Sequence, residues 1–113
     1  MHEVIHEKLK EAARAKPERL LYYSDIAPLS GLDMAFQEDR NKMAEILGDI
    51  STYEHDRGRP LLSAVVVHRG DPQLPGDGFF KLAMSLKLIR PGQDRAMFWA
   101  EELKKVYEYW QHH

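Results

Sequence analysis

The stretch Arg59-Pro60-Leu61-Leu62-Ser63-Ala64-Val65-Val66-Val67-His68-Arg69-Gly70-Asp71 decides the fold of this chain. Pro60 cannot continue a helix, and the run beyond it centres on three β-branched valines. The run reads as one strand. Leu61, Ser63, Val65 and Val67 alternate onto one face, and Leu62, Ala64, Val66 and His68 onto the other. Both faces are mainly apolar, so the strand is expected to be covered on both sides. Its backbone needs a partner. The intramolecular choice is the short apolar run Leu20 to Tyr23. The other choice is a strand from a second copy of the chain.

Working outward, the helical pattern ahead of this strand starts after Asp33 and runs to about Asp56. Phe36, Met43, Ile46, Leu47, Ile50 and Tyr53 form its stripe, and Gly58 ends it. A first helix is expected from about His2 to Ala15, with Val4, Ile5, Leu9, Ala12 and Ala13 as its apolar side. Lys16-Pro17 stops it. Ser24 is the expected N-cap of a short second helix, with Pro28 in its first turn and Gly31 as a left-handed C-cap. Behind the strand, Pro72 to Gly78 reads as a loop. Asp77 would cap a helix over about Phe79 to Lys87, with Phe80, Ala83 and Leu86 inward. Arg90-Pro91-Gly92 breaks the chain before a last helix, about Gln93 to Trp110. Met97, Trp99, Leu103, Val106, Tyr107 and Trp110 give that helix its apolar side. The result is a single domain over residues 1–113, α+β and mostly helical, with two or three short strands in a winged-helix-like arrangement.

The chain has 113 residues, a net charge of -2 and no cysteine. That length suits one domain with a working core. Missing cysteine excludes disulfides, thiolate metal sites and a Cys nucleophile. No apolar run approaches the roughly 20 residues of a membrane span. The charged start lacks a signal peptide's apolar core, which makes the cytoplasm the expected location. The slightly acidic balance argues against a protein that coats nucleic acid, but it leaves room for a local basic face. Arg57, Arg59 and Arg69 flank the strand, Arg40 and Lys42 precede it, and Lys81 lies beyond it. If folding gathers them, they form a phosphate-facing side; otherwise they are solvated charges.

The order of short helix, Gly31 turn and longer helix reads as a helix-turn-helix. Gln37, Arg40, Asn41 and Lys42 would be the outward, base- or phosphate-reaching residues. Glu38, Asp39, Glu45 and Asp49 on the same helix repel phosphate. Tyr23-Ser24-Asp25-Ile26-Ala27, the Gly turn, Arg40, Leu47-Gly48, the apolar strand and the Gly-rich loop together resemble the DNA-binding domain of alkyltransferase-like proteins, over roughly residues 1–80. The resemblance implies a winged helix-turn-helix on duplex DNA, with Tyr23 at the backbone and Arg40 as the inserted arginine. The family's reactive-cysteine motif would fall near Arg59-Pro60-Leu61-Leu62-Ser63. Neither its Cys nor its His-Arg pair is present, so alkyl transfer is excluded. The Gly-Arg-Pro-Leu-Leu-Ser-Ala-Val-Val-Val run is also similar to that of small prokaryotic proteins, which implies no activity.

The expected function is therefore a non-catalytic module that binds duplex DNA or a nucleic-acid-linked partner. Its contact set is Tyr23, Ser24, Gln37, Arg40, Asn41, Arg57, Arg59 and Arg69. Tyr23 and Ser24 would bond phosphate, Arg40 and Asn41 the groove, and the later arginines the backbone. No cofactor or resident metal is expected, and no membrane partner. Two alternatives stand beside it. One is a homodimer or protein-interaction module using the strand edge or the aromatic last helix, which carries Phe98, Trp99, Tyr107, Tyr109 and Trp110. The other is a metal-dependent nuclease in which Glu54, His55, His68 and Asp71 converge, with Asp77 nearby. His2 and His6 lie one helical turn apart and are expected in solvent. Ser63 reads as a small core residue. Arg69-Gly70-Asp71 reads as a chance triplet.

Overall fold

The structure is a computed structural model that describes residues 1–113. Five helices and a two-stranded sheet succeed one another along the chain: α1 (Glu3–Arg14), β1 (Leu21–Tyr22), α2 (Tyr23–Ser30), α3 (Gln37–Asp56), a 3₁₀ turn (Leu62–Val65), β2 (Val66–Val67), α4 (Asp77–Ser85) and α5 (Arg95–Trp110). The fold is α+β and mostly helical. No helix is long and apolar enough to cross a membrane.

The two strands are parallel, with Leu21 opposite Val66 and Tyr22 opposite Val67. The Leu20–Tyr23 run is thus the partner expected of it. The strand itself is far shorter than its apolar run. Residues 62–65 wind into a 3₁₀ turn, so the alternating faces expected from Leu61 to His68 do not form. Leu61 to Val67 are nonetheless all buried. The reason is the supply of backbone partners. Two residues of β1 cannot pair an eight-residue strand, and unpaired buried amides are costly. Short-range bonds answer part of the need, Ala64 N–H to the Leu61 carbonyl at 3.1 Å and Val66 N–H to the Ser63 carbonyl. Side chains supply three more bonds. Glu102 accepts the Leu61 N–H at 2.8 Å, Ser51 Oγ accepts the Ser63 N–H at 3.0 Å, and Trp99 Nε1 donates to the Ala64 carbonyl at 2.8 Å. The turn becomes the hub of the core, packed by α1, α3 and α5.

Helix ends depart from the expected caps in small ways. His2 caps α1 through its ring, Nδ1 accepting the Ile5 N–H at 3.2 Å. α2 begins one residue ahead of Ser24, and Asp25 accepts the Tyr22 N–H at 2.8 Å. Ser24 is therefore inside the helix rather than its cap. Pro28 sits in the second turn, not the first, and leaves the Ser24 carbonyl without its helical donor. Gly31 closes α2 at φ 71°, the left-handed conformation that glycine adopts without strain. Gly76, not Asp77, caps α4. α3 starts at Gln37, later than the stripe implies, because Asp33 holds a turn over residues 33–36. Phe36, Val4 and Met97, expected to face the core, are exposed.

Candidate functional site

One stripe of α3 carries Gln37, Arg40, Asn41, Ala44, Leu47 and Gly48, each a short helical step from the next. This stripe forms one wall of a cleft of about 570 Å³. The opposite wall is the start of α4 and its entry, Gly76 to Phe79 with Lys81 and Leu82, and Tyr23 and His68 close the inner end. Small residues let the walls approach: a Cβ on Gly78 would stand 3.4 Å from the Ala44 Cβ. The acidic residues Glu38, Asp39, Glu45 and Asp49 lie off the stripe, and none lines the cleft. They leave the lining itself without their carboxylates, although they remain charges on the same helix.

Tyr23 and His68 meet because the strands end in register. Each is the residue after its strand's last paired position, Tyr22 and Val67. Their rings stack at 4.4 Å with an interplanar angle of 28°. Tyr23 Oη accepts the Gly76 N–H at 2.8 Å. Burial pushes the Tyr23 hydroxyl above its usual pKa, so it stays protonated and its own hydrogen is free to be donated. Gly76 is favoured by contact rather than by backbone angle. A Cβ there would fall 3.1 Å from His68 Nε2 and 3.2 Å from Tyr23 Oη.

At the rim, side chains hold one another in place. Arg40 donates from one terminal nitrogen to the Met34 carbonyl at 2.8 Å and from the other to Gln37 Oε1 at 2.9 Å. Gln37 Nε2 in turn donates to Asn41 Oδ1 at 2.8 Å. The acceptor oxygens of both amides are thus engaged, while the Asn41 amide nitrogen and the remaining guanidinium N–H groups are left as donors. Neither Arg40 contact is to a carboxylate, so its charge is not neutralised locally. Asp77 is the one acid on the cleft, and Arg95 binds it at 3.0 Å. The cleft therefore offers donors and positive charge to whatever enters.

The structure brings together Tyr23, Gln37, Arg40 and Asn41 of the expected contact set. It does not bring Arg57, Arg59 and Arg69 to them. Arg57, the C-cap of α3, is 17 residues along from Arg40, about 25 Å at the helical rise. Its guanidinium lies 3.5 Å over the Tyr53 ring. Arg59 grips Glu54 through Nε at 2.6 Å and a terminal nitrogen at 3.2 Å. Arg69 covers the ring of Tyr22, which alternates to the face opposite Tyr23. Ser24 is exposed on α2 but outside the cleft. The shared arginine face expected from the sequence is not what folding makes.

Nor do Glu54, His55, His68 and Asp71 converge. Glu54 is fully buried between Arg59 and His6, whose Nε2 is 3.1 Å from Oε2, while His68 is in the cleft. No group of three or more His, Asp or Glu side chains is arranged to hold a metal ion. His6, expected in solvent, is 8% exposed. The aromatics of α5 turn inward: Phe98, Tyr107 and Trp110 are buried, and Trp99 is tied to the core turn. Ser63 is a buried small residue whose Oγ lies 2.6 Å from that of Ser51. Lys81 and His68 complete the cleft. In the sequence Lys81 is legible only as a cation, since nothing local tells which helices meet. His68 becomes legible only through the strand register, which puts it beside Tyr23. No family model, curated protein or solved structure matches the chain.

Proposed function

We propose that this protein is a cytoplasmic, non-catalytic module that contacts nucleic acid, and that the cleft between α3 and α4 is its contact site. One observation carries the reading. Tyr23, Gln37, Arg40 and Asn41 converge with His68 and Lys81 on a single cleft whose rim carries uncommitted donors and two cations, with Asp77, bound by Arg95, its one acid. A phosphodiester offers only acceptors and negative charge, and it matches that lining. The α2–turn–α3 unit plays the part of a helix-turn-helix in this reading. Ser24 and Arg69, close to the cleft in sequence but not in it, are left with at most peripheral backbone contacts. Arg59 has a structural task instead.

Fluorescence anisotropy with labelled DNA, duplex and single-stranded, at low salt tests the proposal. Arg40→Ala combined with Lys81→Ala weakens binding at least tenfold. It also flattens the plot of log affinity against log salt by about one for each cation removed. Arg57→Ala combined with Arg69→Ala changes affinity by less than about threefold, because neither side chain lines the cleft. Equal losses from both pairs would return the interface to a diffuse arginine surface. No binding to either form of DNA would end the proposal.

A further inference from the structure

Resting on that reading, we infer that the cleft accommodates one unpaired nucleoside phosphate, as a free mononucleotide or as a residue of a single strand, and that it does not take paired duplex. Three features of the cleft carry this. Its volume of about 570 Å³ lies within the roughly 300–1,000 Å³ of sites for small molecules. Its inner end is a ring platform: Tyr23 backs one face of His68 at 4.4 Å, and His68 remains exposed at the cleft. Its rim has Arg40 and Lys81 for a phosphate and the Asn41 amide nitrogen for an acceptor on a base edge.

The order of these groups sets the preference. A planar ring on His68 gains stacking that every base can give, since each has a π-face. Bases in a duplex present only their edges in the grooves, and their faces are covered by neighbours. Unpaired bases have free faces and are regularly stacked on histidine and other rings. Met34, Ala44, Leu47, Phe79 and Leu82 give the cleft apolar walls that favour a base over a bare anion.

The test is an NMR titration of the intact chain with four probes: adenosine monophosphate, inorganic phosphate, a short single-stranded DNA and its duplex. Adenosine monophosphate is expected to shift the His68 and Tyr23 ring signals and the Asn41 side-chain amide, saturably. Inorganic phosphate binds at least tenfold more weakly, and single-stranded DNA displaces the mononucleotide where duplex does not. His68→Ala, a change at an exposed side chain, lowers mononucleotide affinity about tenfold and leaves phosphate affinity unchanged. Inorganic phosphate binding as tightly as the mononucleotide overturns the inference, and so does an unaffected His68→Ala variant. Duplex that binds through Arg40 and Lys81, with no mononucleotide shifts, overturns the inference and leaves the nucleic-acid reading standing. Failure of every probe removes both.

Discussion

Glu54 is an ionisable side chain with no exposed surface, and Arg59 and His6 are the two groups that make its burial tolerable. The two-point grip of the Arg59 guanidinium is the stronger contact, and it raises the pKa of Arg59 further above its usual value. Arg59→Ala strands a buried carboxylate, so it should cost about 3 kcal/mol in urea denaturation. Adding Glu54→Gln to that variant should recover much of the loss, because the buried charge is then gone. Arg57→Ala should cost no more than about 1 kcal/mol, since its guanidinium overlies the Tyr53 ring and donates to the Tyr53 carbonyl at an exposed position. Two arginines separated by one glycine thus differ in kind. The sequence shows both as free cations beside a strand. It shows Glu54 too, as a carboxylate closing α3, but the burial of Glu54 depends on α1 supplying His6 from far along the chain.

Elements are legible in proportion to how local their causes are. The five helices arise from apolar spacing, prolines and glycines, all readable within a dozen or so residues. Their ends move by a few residues, where a side chain such as His2, Asp25 or Asp33 decides the cap. The segment Leu61–Val67 is harder. Its composition says buried, which is right, and strand, which holds only for Val66 and Val67. Choosing between a strand and a 3₁₀ turn requires knowing that Ser51, Trp99 and Glu102 stand ready to bond its backbone. The cleft is hidden for a similar reason, being made where α3 and α4 cross, with Ala44, Gly48 and Gly78 thinning the contact. A stability comparison checks the packing side of this account. Leu62→Ala, at a fully buried position of the turn, should lower stability by about 3 kcal/mol. Phe36→Ala, at a position 61% exposed, should change it by less than about 0.5 kcal/mol, although the apolar pattern places both residues in the core.

Across the whole molecule, the terminal helices close around the turn, and Tyr107 fastens α5 to the segment before β1 by donating to the Arg19 carbonyl. Burial, reinforced by the negative charge of Glu18, pushes the Tyr107 hydroxyl up to about 12 from an ordinary value of 10.0. The folded chain therefore holds this proton more tightly than the unfolded chain does. The stability linked to it is intact below about pH 10 and is lost as pH rises from about 10 to about 12. Thermal melts followed by circular dichroism should show that decline, and Tyr107→Phe should make it shallower while lowering the melting temperature near neutrality.

The parallel pairing of Leu21–Tyr22 with Val66–Val67 has a kinetic meaning beyond its small size. With α2 and the whole of α3 lying between the two strands in the chain, closing the ladder carries the entropy of a long loop and is expected to come late in folding. Deuterium should then reach the fully buried amides of Val66 and Val67 on the timescale of complete unfolding, and the Tyr22 amide, bonded to Asp25 at the surface, sooner. The Tyr23–His68 platform, one step beyond the last rung, inherits that stiffness and would present an already set surface to the ring proposed to dock on it.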